Sequence, residues 1–210
     1  MAESQLDSQI YKLDYCYDVS VEMFKNVTES GEELLSRIKS IIGKLSVHWK
    51  ASDAVIHINH LVDGYNKFSQ FYESMFKVAT DTVNYMVNSQ ELRAATKGSK
   101  NIGKRMSASY HHVGMQYLED SSKYYYDPEV VKDSTELTNL ISYFEDTIHK
   151  FKNLADELML RWKYGVGHEE TENHIEEFVT ISIELKKYLS DTATELKTMI
   201  ENVANNISQE

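Results

Sequence analysis

Proline occurs once in this chain, at position 128, and glycine only eight times in 210 residues. Turns and short strands draw on both residues, so a chain this poor in them is expected to run in long uninterrupted helices. Apolar residues at 41% and charged residues at 26% are ordinary for a globular chain and too apolar for a disordered one. Cys16 is the single cysteine. Within one molecule it can form neither a disulfide nor a thiolate metal cluster, and stability must come from packing.

The two tryptophans, Trp49 and Trp162, stand 113 residues apart, and one ungapped slide by that offset brings apolar positions into register on both sides. Upstream, Phe24, Val27, Leu35, Ile38, Ile41 and Leu45 fall on Leu137, Leu140, Ile148, Phe151, Leu154 and Leu158. Downstream, Val62, Tyr65, Phe68, Tyr72, Met75, Phe76, Val83, Met86 and Val87 fall on Ile175, Phe178, Ile181, Leu185, Tyr188, Leu189, Leu196, Met199 and Ile200. Steps of three, four and seven place each series on one stripe of a helix. Any two amphipathic helices match when slid into phase. A single offset that aligns both arms and also both Trp-Lys pairs goes further, and points to a tandem duplication of one helical hairpin.

Each tryptophan sits where its stripe breaks, so a turn is expected there. Ser52 and Asp53 suit the cap of the arm after Trp49. Gly165 and Gly167 free the backbone after Trp162, and Glu169 and Glu170 suit the positive end of the helix that follows. Arms of roughly 25 to 40 residues would be about 40 to 60 Å long. One hairpin buries only its seam, so the expected fold class is all-α, two long hairpins packed as an antiparallel four-helix bundle, a single-chain pseudo-dimer.

The expected organisation is an N-terminal extension over 1–18, with Leu6, Ile10, Leu13 and Tyr17 at helical steps; a first hairpin over 19–91; a connector over 92–127; and a second hairpin over 128–207. A helix break is expected near residues 28–32. Asp127 followed by Pro128 reads as a cap and a first helical residue. The basic residues Arg93, Lys97, Lys100, Lys104 and Arg105 read as a solvated connector, and the Tyr124 to Tyr126 cluster as an exposed surface suited to a binding site.

A hairpin of about 90 residues turning at a tryptophan, without a disulfide or a cleavable signal peptide, resembles the WXG family of small substrates of bacterial type VII secretion. The resemblance covers both halves. In that family the tryptophan and glycine of W-x-G lie in the turn, and two hairpins pair antiparallel as dimers. The matching triplets are Trp49-Lys50-Ala51 and Trp162-Lys163-Tyr164, neither with glycine in third place; the second copy moves its glycine on to Gly165. Some members carry a secretion signal, a tyrosine followed four residues later by Asp or Glu. Tyr125 with Glu129 matches it here, within the connector rather than after the second helix.

The resemblance implies a non-enzymatic protein of that pathway, either a secreted substrate or an adaptor or chaperone for a larger effector. Its protein partner would be the secretion ATPase or that effector, and the chain would be a monomer resembling a family dimer. It would leave the cell without a cleavable signal peptide, or wait in the cytoplasm before export. The alternative is a cytoplasmic helical scaffold unrelated to secretion.

Other classes have little support. A net charge of -11 disfavours nucleic acid, which clustered Lys and Arg normally bind. No run approaches the roughly 20 apolar residues of a membrane span. A di-iron bundle needs Glu-x-x-His pairs; the chain offers only Asp146 with His149, and the bare pair His57 and His60. No catalytic, metal or cofactor residue is assigned.

Overall fold

The computed structural model describes residues 2–98, 101–107, 110–119, 124–163 and 165–207, with side chains from Lys12 onward. The Leu6 and Ile10 side chains, Lys100 and Tyr164 lie outside the described residues. Helix α1 covers Ala2–Lys25, a π-helix Asn26–Gly31, α2 Glu32–His48, α3 Ser52–Lys97, α4 Glu129–Arg161 and α5 His168–Ile207. Two short strands, β1 at Trp49–Lys50 and β2 at Tyr125–Tyr126, pair antiparallel.

The fold class is all-α, four helical arms packed against each other as a four-helix bundle. The chain forms two compact units. The first comprises Met1–Gly31, Glu73–His111 and Thr147–Thr180; the second comprises Glu32–Tyr72, His112–Asp146 and Ile181–Glu210. Every arm contributes a segment to both. The two Trp turns are thereby divided, Trp162 falling in unit 1 and Trp49 in unit 2.

None of the stripe residues matched by the 113-residue offset is exposed. In unit 1, Phe151 meets Phe178 edge to face at 4.4 Å between ring centroids, and Phe24 lies 5.8 Å from Phe76. In unit 2, Phe68 meets Phe144 edge to face at 4.3 Å. Such aromatic pairs add to the area they bury because the positive ring edge meets the negative face.

The interruption expected near 28–32 is the π-helix over Asn26–Gly31. There the hydrogen bonds step from i−4 to i−5 and the chain continues without a break. α3 extends to Lys97, past the boundary expected at 91, because no glycine or proline follows residue 91 until Gly98. Gly98 has φ +71° and donates its N–H to Ala94 O at 3.0 Å, a left-handed helix end that glycine adopts without strain. At the start of α3, Val55 N–H donates to Ala51 O at 3.0 Å. Ala51 therefore holds the cap position, and Ser52 and Asp53 lie inside the first turn. Asp127 does cap α4, its Oδ1 accepting from Glu129 N–H at 2.9 Å.

Candidate functional site: the tryptophan turns and the connector

The turn after α2, in unit 2, is closed by the connector rather than by glycine. Trp49 is 2% exposed and faces Tyr126 across the two-residue ladder, while Lys50 faces Tyr125. Asp127 N–H donates to His48 O at 2.8 Å and extends the pairing. His48 Nδ1 lies 2.6 Å from Asp133 Oδ2, a buried carboxylate one turn into α4. No described non-glycine residue has positive φ, which explains how alanine stands third in the Trp49-Lys50-Ala51 triplet. The sequence thus brings the candidate signal tyrosine onto the first tryptophan turn. Tyr125 is about half exposed, and its hydroxyl donates to Asp127 Oδ2 at 3.4 Å. Glu129 is exposed and bonded to Lys132 Nζ at 2.9 Å. Burial pushes the Tyr126 hydroxyl above its ordinary range, with Tyr124 adding to the effect.

The turn after α4, in unit 1, is closed by glycine. Gly165 has φ +132° and Gly167 φ +83°, both outside the region that other residues adopt readily. A Cβ on Gly165 would meet Trp162 Nε1 at 3.4 Å, and one on Gly167 would meet the Tyr85 ring at 2.4 Å. Tyr85 donates its hydroxyl to Glu170 at 3.0 Å, and this bond is the largest cause that holds its pKa up. Trp162 is buried and meets His168 edge to face at 5.3 Å. Lys163 is exposed. The two tryptophan turns are therefore closed in two ways, the one after α2 by a β-bridge and the one after α4 by left-handed glycines.

No protein-family model matches this chain, and no curated protein or solved structure matches it.

The connector departs most from its reading as a solvated segment. Within the described residues 101–107 and 110–119, Gly103 and Met106, and then His112, Met115 and Leu118, are half-buried at a three-residue spacing, and the other described residues except Tyr110 are exposed. Three residues per turn is the repeat of an extended left-handed strand, which has no hydrogen bonds of its own. Side-chain amides of α3 supply them.

In unit 2, Asn59 accepts from Leu118 N–H at 2.7 Å and donates to Leu118 O at 3.0 Å. Asn66 does the same for Met115, at 2.7 and 3.0 Å. The helical step of seven residues and the extended step of three both span about 10 Å, so the two rows stay in register. In unit 1, Asn84 makes the same pair of bonds with Met106, at 3.1 and 3.0 Å, and Gln90 accepts from Gly103 N–H at 2.7 Å.

Arg93, expected in the solvated basic stretch, is 8% exposed. It bonds Asp14 Oδ1 and Asn101 O, each at 2.9 Å. Arg105 reaches Asn88 and Glu91, both at 2.7 Å. Lys97 and Lys104 are exposed, the latter with its N–H donating to the Tyr17 hydroxyl at 2.9 Å. Gly103 allows this approach, since a Cβ there would fall 2.3 Å from the Tyr17 ring.

The histidine candidates are not gathered. His57 and His60 stand 6.1 Å apart between ring centroids, and Asp146 and His149 are both exposed. Among the described residues no group of three His, Cys, Asp or Glu is placed to hold a metal ion. No described helix is long and apolar enough to cross a membrane.

Proposed function

We propose that this chain is a non-enzymatic protein of the bacterial type VII secretion pathway, a secreted substrate or an adaptor or chaperone for a larger effector. The observation that carries the reading is the pairing of Lys50 with Tyr125 beside buried Trp49. The turn motif and the tyrosine motif, which the resemblance to the WXG family singles out separately, share one surface of unit 2. A partner reading that surface meets an exposed tyrosine, Lys50 and the Glu129 carboxylate on a rigid support. Binding is the whole mechanism. Joining two hairpins in one chain supplies the high local concentration that separate hairpins lack, and the active species is a monomer resembling a family dimer.

The test is to blot culture medium and cells, with and without the type VII ATPase, for the native chain and for Tyr125→Ala. The expected result is native chain in the medium only when the ATPase is present, and its loss there for Tyr125→Ala with the cellular level kept. An adaptor would instead stay in the cell and co-purify with the ATPase or an effector. Absence from the medium in both strains together with no such co-purification overturns the proposal.

A further inference from the structure

The first arms of the two hairpins bury the same positions, but at two different offsets. After the π-helix, Leu35, Ile38, Ile42, Leu45 and Trp49 fall at the 113-residue offset on Ile148, Phe151, Ala155, Leu158 and Trp162, and all of them are buried. Gly31, the last residue of the π-helix, falls on buried Phe144 and is buried too. Before the π-helix that offset fails. Of the buried residues Cys16, Val19, Ser20, Met23, Asn26 and Val27, it carries only Ser20 and Val27 onto buried ones. A slide of 114 residues, as from Cys16 to Val130, carries every one of them onto a buried residue, ending with Asn26 on Leu140 and Val27 on Ile141. Hydrogen bonding agrees. The Ser20 hydroxyl donates to Tyr17 O at 2.7 Å, and that of Ser134, its match under the longer slide, donates to Val131 O at 2.8 Å. Met23, wholly buried, therefore stands where Leu137 stands, and Phe24 beside it is only half-buried.

The offset changes between Val27 and Gly31, inside the π-helix. Three residues there, Thr28, Glu29 and Ser30, occupy the place of two in the second hairpin, Ser142 and Tyr143. Each residue of an α-helix turns the chain by about 100°, so one residue too many would swing everything before it off its stripe by that angle. A π-helix closes its hydrogen bonds one residue later than an α-helix does and takes the surplus residue into a single turn. In unit 1 the rotation so preserved keeps Cys16 buried, Tyr15 bonded to Glu157 beneath Arg161, and Tyr17 against Gly103.

We infer that the π-helix is a one-residue insertion carried by the first hairpin alone, and that it works as a register device, keeping the buried stripe of α1 where the second hairpin has its own. The surplus residue is borne on the exposed side, at Glu29 and its half-buried neighbours. Spacing shows what removal would do. Met23 and Ile38 are fifteen residues apart, whereas their matches Leu137 and Phe151 are fourteen apart, two steps of seven along one helical stripe. Deleting one residue within the π-helix gives the first hairpin that same spacing in a continuous α-helix. Deleting two overshoots, and turns the charged residues Asp18, Glu22 and Lys25 toward the core.

Urea unfolding and alkylation of Cys16 on the full chain test this, comparing the native protein with a chain lacking Glu29 and with one lacking both Glu29 and Ser30. Without Glu29 the urea midpoint is expected to be kept or raised, and Cys16 to be labelled within about threefold of the native rate. Without both residues the midpoint is expected to fall, because burying charge without a partner is costly, and labelling to quicken by about tenfold or more as α1 loses its seat. A midpoint lowered as far by the first deletion as by the pair would make the π-helix indispensable and overturn the insertion. Midpoint and labelling kept in both chains would overturn it as well, since α1 would then have no register to lose.

Discussion

Trp49 and Tyr126 face each other across a two-residue antiparallel ladder, and Trp49 Nε1 and the Tyr126 hydroxyl are both buried with no described hydrogen-bond partner. The two residues hold the turn by shape, and their polar atoms oppose it. Tyr126→Phe removes an unsatisfied hydroxyl and keeps the ring, so it should leave stability unchanged or raise it by up to about 1 kcal/mol. Trp49→Ala removes the ring that closes the end of the core and should cost about 3 to 5 kcal/mol. Urea unfolding measures both. A loss of more than about 1 kcal/mol in Tyr126→Phe would mean that its hydroxyl is satisfied after all.

Gly167 and Gly43 are opposite cases of one residue type. Gly167 combines φ +83° with a Tyr85 ring that would stand 2.4 Å from any Cβ placed there, whereas at Gly43, inside α2, a Cβ would meet nothing within 4 Å. Gly167→Ala is expected to destabilise by about 2 kcal/mol or more, from backbone strain and overpacking together. Gly43→Ala should stabilise by roughly 0.5 to 1 kcal/mol, by lowering the entropy of the unfolded chain. Thermal unfolding of the two variants should therefore move in opposite directions, and a shared sign would contradict the assignment of strain to the Trp162 turn.

The helices were legible because burial on a helix repeats every three to four residues, and the 113-residue offset repeated that signal. Nothing comparable marked the connector. Its contacts run from backbone to asparagine amides, and a backbone carries no sequence signature. One trace existed: Asn59 and Asn66, poor helix formers, stand seven residues apart on one face of α3. The use of Gly103 and Gly114 as close-contact positions depends on Tyr17 and Asn66, which are remote in sequence. The pairing of Tyr125 with Lys50 was equally hidden, since a two-residue ladder has no alternating pattern to read.

Asp63 gathers Lys67 Nζ at 2.6 Å, Tyr117 and Tyr188, and the Lys67 bond is the largest cause lowering its carboxyl below the usual 3.8. A folded-state pKa lower than the unfolded one gives stability that is present above the unfolded value and is lost as pH falls through the folded value. Because Asp63 and Lys67 are both partly exposed, solvent screening should keep the contribution below about 1 kcal/mol. Asp63→Asn is thus expected to be slightly less stable than the native chain at neutral pH and to converge with it in acid, below the unfolded carboxylate range. Urea midpoints across that range check it. A gap that widens on acidification would reverse the sign and remove the cluster as its cause.

Cys16 reports on unit 1 without any added label. It is 3% exposed, and burial raises its thiol pKa, with Arg161 pulling the other way. Arg161 itself stacks over the Tyr15 ring at 4.2 Å, and Tyr15 bonds Glu157, so the thiol lies beside the α1 to α4 contact. The thiolate is the reactive form, and a buried thiol with a raised pKa reacts only when its cover opens. Alkylation of the native chain at mildly alkaline pH is expected to be slower than that of the urea-unfolded chain by about a hundredfold or more. Tyr15→Ala removes the ring under Arg161 and its bond to Glu157, and should speed labelling without unfolding the bundle, as circular dichroism can verify. Native labelling as fast as in urea would show that α1 does not cover Cys16 in solution. Labelling unchanged in Tyr15→Ala would place the protection in the apolar core rather than in the Tyr15, Glu157 and Arg161 cluster.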